Sequence, residues 1–191
     1  MMQEELVILI DDQDNEIGLL EKMEAHRLGL LHRAFSVILF NSKGELLLQQ
    51  RAAHKYHSPQ LWTNTCCSHQ RPGESNQEAA KRRLWEEMGM EAQLNEAFSF
   101  IYKAKLDQGL TEHELDHVLF GYTNQIPVIN KDEVAAYKWM SLNDLTHDLE
   151  KSPNTYTAWF KILINQHLEK ITKAAYESLY TRHLQCSSSL V

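Results

Sequence analysis

Cysteine is scarce in this 191-residue chain: there are three, and two of them, Cys66 and Cys67, are neighbours. Adjacent cysteines are poor disulfide partners, and an odd count does not build a secreted framework. No pair of Cys-x-x-Cys units is present, which excludes a zinc-ribbon type of site. Long apolar runs are missing too, and stretches such as residues 37–40 are far too short to cross a bilayer. Residues 1–5 carry neither a basic start nor an apolar run, so a cytoplasmic protein without membrane contact is expected. Positive charge is in deficit, with 19 Lys and Arg against 26 Asp and Glu and a formal charge of −7. That argues against a nucleic-acid surface. The few bases can still converge on one phosphate group. Low-complexity segments are confined to the serines at 187–189, expected as a frayed tail. What remains is an ordinary globular balance, 43% hydrophobic and 24% charged, in a length that suits a single sizeable core.

Residues 6–10 and 17–20 read as strands around a turn at 11–16. Residues 34–40 and 45–50 flank Asn41-Ser42-Lys43-Gly44 and read as a hairpin. Residues 98–106, 114–122 and 135–140 read as further strands. Ser75 and Glu78 make a capping-box pattern, Ala80, Leu84 and Met88 recur every four residues, and Gly89 sits where a helix would stop. Residues 141–150 and 153–180 read as helical. Strands and helices follow no regular βαβ alternation, which predicts an α+β fold, a mixed β-sheet sandwich flanked by helices.

The segment 68–90 reads S-H-Q-R-P-G-E-S-N-Q-E-A-A-K-R-R-L-W-E-E-M-G-M. It resembles the Nudix box, with Glu74, Arg82, Leu84, Glu86, Glu87, Gly89 and Met90 in register. Such a loop and helix present carboxylates to a hard cation that holds a diphosphate. Two positions depart from the pattern. Ser68 replaces the first glycine, and Arg83 stands where Nudix hydrolases place a metal-binding glutamate. A guanidinium there would be a phosphate ligand instead.

Motifs on both sides of the box extend the resemblance. They are L-E-K at 20–22, L-L-H-R-A-F-S at 30–36, W-T-N-T-C-C-S-H at 62–69, E-H-E-L-D at 112–116, and D-E-V with Y-K-W within 132–139. Over about residues 5–165 the chain resembles the type I isopentenyl diphosphate isomerases, a Nudix-fold family. The boundaries that follow are a Nudix-fold isomerase domain at 1–165 and a helical extension with a frayed tail at 166–191.

On an extended segment Cys67 and His69 share one face while Cys66 and Ser68 share the other. Cys67 is therefore the thiol beside a His-based site, and Cys66 reads as a small buried hydrophobe. Glu112 and Glu114 share a strand face by the same logic, and two adjacent carboxylates call for a cation. The resemblance implies a cage for Mn²⁺ or Zn²⁺ made by His26, His32, His69, Glu112 and Glu114, a mixed set suited to a borderline metal. It further implies Mg²⁺ on Glu87, diphosphate binding by Lys22, Arg51, Lys55 and Arg83, and catalysis by Cys67 and Glu114. Tyr102 would orient Glu114, and Trp159 would face a developing cation. The remaining histidines, His57 among them, read as surface or core residues.

The implied reaction moves the double bond of isopentenyl diphosphate to give dimethylallyl diphosphate. It proceeds by antarafacial protonation and deprotonation through a tertiary carbocation. The expected partner is thus a small isoprenoid diphosphate, acted on by a monomer. The alternatives are a Nudix hydrolase of a nucleoside diphosphate and a non-catalytic module that binds metal or phosphate.

Overall fold

The computed structural model describes residues 5–187, with side chains to residue 179. The serine run at 187–189 falls at and outside that limit. Nine strands form one mixed sheet: β1 (Leu6–Ile10), β2 (Glu16–Glu21), β3 (His32–Phe40), β4 (Leu46–Arg51), β5 (Trp62–Thr63), β6 (Cys66–Ser68), β7 (Leu94–Lys105), β8 (Thr111–Tyr122) and β9 (Val134–Met140). Four helices accompany them: α1 (Lys22–Leu28), α2 (Asn76–Met88), α3 (Leu142–Lys151) and α4 (Ala158–Ser187).

β3 is the hub. It runs parallel to β8 from His32↔Glu114 to Phe40↔Tyr122 and antiparallel to β6, where Ser36 faces Cys67. Its period of two divides the core. Ile38 and Phe40 point to a cluster closed by Trp159, Phe160, Leu163 and Ile164 of α4. Phe35, Val37 and Leu39 point to a second cluster closed by Ala79, Ala80, Leu84 and Met88 of α2. The sheet is thus covered by helices on both faces, the α+β sandwich read from the sequence.

Local chemistry sets the element ends. The Ser75 side chain accepts from the Glu78 amide while the Glu78 carboxylate accepts from the Ser75 amide, completing the capping box of α2. Gly89 ends that helix in the left-handed region at φ 59°. Asn41 Oδ1 accepts the amides of Lys43 and Glu45, which folds the β3–β4 hairpin. β4 then leaves β3 after the single pair Phe40↔Leu46 and joins β9 and β5 instead.

Two differences from the sequence reading bear on the site. Helix α1 was not expected, because seven residues carry too little periodicity; a Glu21 cap and Gly29 at φ 60° delimit it. The helix expected over 153–180 is broken at its start. Residues Pro153–Thr155 form a single 3₁₀ turn, and Tyr156 is extended because it bridges Trp62 while Thr157 N donates to the Trp62 carbonyl. The expected domain boundary at 165/166 falls inside α4, two residues before the non-helical His167, and Ile171, Ala174 and Ala175 join the same core cluster as Ile164.

Candidate active site

Four elements deliver a compact donor group. His26 comes from α1, His32 from the start of β3, His69 from just beyond β6 and Glu114 from β8. One donor atom from each lies within 4.8 Å of the others. The tautomers follow from the backbone, because a carbonyl can only accept. His26 Nδ1–H donates to the Lys22 carbonyl at 2.6 Å and His32 Nδ1–H to the Leu30 carbonyl at 2.8 Å. Each ring therefore turns an Nε2 lone pair inward. His32 Nε2 stands 3.2 Å from His69 Nε2, which in turn stands 3.2 Å from Glu114 Oε1. Burial lowers His26 and pushes His69 down to about 4, which favours the neutral form of these two rings, the form that binds metals.

Lone pairs that converge on a carboxylate repel unless a cation lies among them. The three-imidazole, one-carboxylate set fits a divalent ion of borderline softness. Glu112, expected in the same cage, is not one of these four. Its Oε2 meets the Tyr102 hydroxyl at 3.1 Å, and its Oε1 comes within 3.8 Å of His57 Nε2.

The carboxylates are electrostatically unequal. Burial alone would raise Glu114, but a proton on the His32 or His69 edge that faces it, standing where a cation would, outweighs burial and holds Glu114 well below the usual range. Burial first, and then the Glu114 charge, push Glu112 well above that range. The Tyr102 hydroxyl donates to Glu114 Oε2 at 2.6 Å. Cys67 is half-buried and lines the cavity; burial raises its thiol, which is protonated at neutral pH. Cys66 is fully buried in the cluster under α2, as its strand parity requires.

The bases enter the same cavity already engaged. Lys22 pairs with Glu5, and Lys55 pairs with Glu133. Arg83 donates to Glu87 Oε1 at 2.6 Å, to Glu86 at 2.8 Å and to Glu133 at 3.3 Å. The Arg51 guanidinium lies 5.2 Å from the Trp159 ring centre. Of the box residues, Glu74 and Arg82 form a bidentate pair at 2.6 and 2.7 Å that ties the loop to α2. Glu87 is nearly buried and also accepts from Gln49 Nε2 at 2.7 Å.

Every residue expected at the site lines this one cavity except His32, which is fully buried behind it. Sequence reasoning passed over Glu5, Gln49, His57 and Glu133, which line it too. Parity would have found one of them: Gln49 sits two positions before Arg51 on β4. Of the other histidines, His54 and His147 are exposed, His113 Nδ1 meets the Gly29 carbonyl and His117 Nδ1 meets Glu96. His167 packs between Phe98 and Phe100, and His183 lies outside the described side chains.

Residues 30–160 match the NUDIX domain family. The chain is 51% identical over 163 residues to Isopentenyl-diphosphate Delta-isomerase 2 of Aromatoleum aromaticum, covering 85% of this chain and 86% of that one. The chain belongs to the isopentenyl-diphosphate Delta-isomerase family of Nudix-domain proteins. A relative of the same name from Photobacterium profundum is 47% identical, over 90% of this chain and 99% of its own. Among solved structures, a Deinococcus radiodurans protein matches with a TM-score of 0.69 at 18% identity over 90% of this chain and 99% of that one. A MutT protein from Methanosarcina mazei matches with a TM-score of 0.58 at 21% identity, over 77% of this chain and 94% of that one. At such identities these two speak for the fold. Among the described residues no helix is long and apolar enough to cross a membrane.

Proposed function

We propose that this chain interconverts isopentenyl diphosphate and dimethylallyl diphosphate. The observation that carries the reading is one cavity, in a chain of this family, that holds the Cys67 thiol, the Glu114 carboxylate with its Tyr102 bond, and Lys22, Arg51, Lys55 and Arg83.

Moving the double bond adds a proton at one carbon and removes one two carbons away. Cys67 Sγ and a Glu114 carboxylate oxygen are the two proton sites, and they exchange roles when the reaction runs backwards. They come from different strands: β6 and β8 flank β3, with Cys67 opposite Ser36 and Glu114 beside His32. A substrate between them can thus be approached from two sides. Tyr102 fixes the Glu114 rotamer. Trp159, only 3% exposed, closes the site against water and offers a π face to the tertiary cation. Diphosphate binding by the four bases contributes energy remote from the reacting carbons. Bound at His26, His32, His69 and Glu114, with Glu112 adjoining, Mn²⁺ or Zn²⁺ would fix the carboxylate and tune its acidity, while Mg²⁺ held by Glu87 would neutralise the diphosphate.

Hydrolysis of a nucleoside diphosphate is the weaker reading, because Arg83 occupies the α2 position at which a water-activating carboxylate would stand. Proton NMR of the protein with isopentenyl diphosphate, Mg²⁺ and Mn²⁺ in deuterated buffer separates the two. The isomerase gives the deuterated dimethylallyl isomer without free phosphate. Phosphate release without isomer would overturn the proposal in favour of the hydrolase.

A further inference from the structure

The loop between β4 and β5 carries Lys55 into the cavity and, two residues on, His57. Its backbone is held at several points. Arg51 Nη2 donates to the His57 carbonyl at 3.2 Å, Gln60 N donates to the Arg51 carbonyl at 3.2 Å, and Gln108 Nε2 donates to the Tyr56 carbonyl at 3.3 Å. Ser58 and Gln60 are in the left-handed region, at φ 47° and 61°. Each such non-glycine residue costs on the order of 1 kcal/mol, so the surroundings over-determine this turn.

That turn delivers a single imidazole. His57 is 4% exposed. Its ring stands edge-on to Trp159, with centres 5.6 Å apart and planes at 83°. Its Nε2 is 3.8 Å from Glu112 Oε1, and its Nδ1 is 3.4 Å from the Ser58 hydroxyl. At 3.8 Å the Nε2 separation is beyond hydrogen-bond length, so His57 meets Glu112 as a close packing neighbour. Glu112 is then approached from two sides, by the Tyr102 hydroxyl and by His57, while Trp159 is flanked by His57 and the Arg51 guanidinium.

We propose that His57 is a positioning residue for the isomerisation: its ring, edge-on to Trp159 and packed beside Glu112, holds both side chains toward the substrate's hydrocarbon. The proposal rests on the isomerase reading above. His57 carries no proton in the reaction, and its side chain is no part of the diphosphate grip.

The test compares steady-state kinetics of the wild type with His57→Ala, His57→Gln and His57→Phe, using isopentenyl diphosphate with Mg²⁺ and Mn²⁺, beside thermal melts. A displaced shielding ring and carboxylate lower kcat in His57→Ala by roughly 10- to 100-fold, with KM within about threefold of the wild type. His57→Phe keeps a ring and His57→Gln keeps part of the bulk, so each recovers part of kcat and neither recovers all. An active wild type with unchanged kcat in His57→Ala overturns the inference, and so does a rise in KM at constant kcat. If His57→Ala fails to fold, the Gln and Phe variants decide: wild-type kcat in both overturns the inference. A wild type inert toward isopentenyl diphosphate sinks the isomerase reading itself, a result distinct from those.

Discussion

Tyr102 and Glu114 are direct cross-strand partners on β7 and β8, and the Tyr102 hydroxyl donates to the Glu114 carboxylate at 2.6 Å. A bond to an ionised group is worth about 1.5–3 kcal/mol. Tyr102→Phe keeps the packing and removes only that bond. It should lower kcat by roughly 10- to 100-fold, with little change in KM. A kcat within twofold of the wild type would assign the tyrosine to packing alone.

The adjacent cysteines separate by strand parity. Cys67→Ala should reduce turnover by about 10³-fold or more, since it removes one of the two proton sites. Cys66→Ala should keep turnover and lower Tm by roughly 2–4 °C, the effect of about 1 kcal/mol of lost core packing in a chain of this size. Full activity in purified Cys67→Ala would refute the assignment.

Removing metal has two expected signatures. Chelation should abolish turnover, and added Mn²⁺ or Mg²⁺ should restore it. Chelation should also lower Tm, because three inward Nε2 atoms and Glu114 lose the cation that reconciles them; at 100 times Kd such an ion stabilises the fold by about 2.7 kcal/mol. Equal melting curves with and without Mn²⁺ would refute the four-residue donor group.

Asp116 is buried, accepts from the Ser36 hydroxyl at 2.8 Å and has no partner for Oδ1. Burial, followed by the Glu114 charge, pushes it up to about 8, against about 3.9 in an unfolded chain. A raised folded value gives stability that is complete below the unfolded value and is lost as pH rises through the folded one. Urea midpoints in chelator should therefore show Asp116→Asn gaining on the wild type between about pH 4 and 8. A constant difference over that range would contradict the shift.

Gly89 ends α2 at φ 59°, and a Cβ there would lie 2.5 Å from the Val128 carbonyl oxygen and 2.9 Å from its Cβ. Gly89→Ala should cost about 2 kcal/mol or more, lowering Tm by several degrees. An unchanged Tm would mean that the 128–130 segment, hydrogen-bonded to the carbonyls of Met88 and Glu87, moves aside freely.

Much of this architecture is legible in the sequence where local chemistry decides it. Ser75, Glu78 and Gly89 delimit α2 through caps that act within a few residues, and the parity of Cys66 and Cys67 needs only an extended backbone. Motif resemblance names the site residues, but it does not give their pairings. Nothing near Lys55 or Lys22 in sequence announces Glu133 or Glu5 as partners, because those contacts span 78 and 17 residues. His57 escaped attention for a related reason: its loop is irregular, and two left-handed residues that aim it carry no glycine to signal the turn.

The parallel pairing of β3 with β8 also has a consequence in time. His32 precedes its strand partner Glu114 by 82 positions, and His26 and His69 are both made before Glu114 as well. A chain emerging from the ribosome therefore holds all three imidazoles before the carboxylate exists. Until β8 slots in beside β3, the growing polypeptide has three histidines but no Glu114 to complete the donor group. Long-range parallel pairing is intrinsically slow, so the docking of β8 on β3, rather than the making of the histidines, sets when the four-residue donor group is complete.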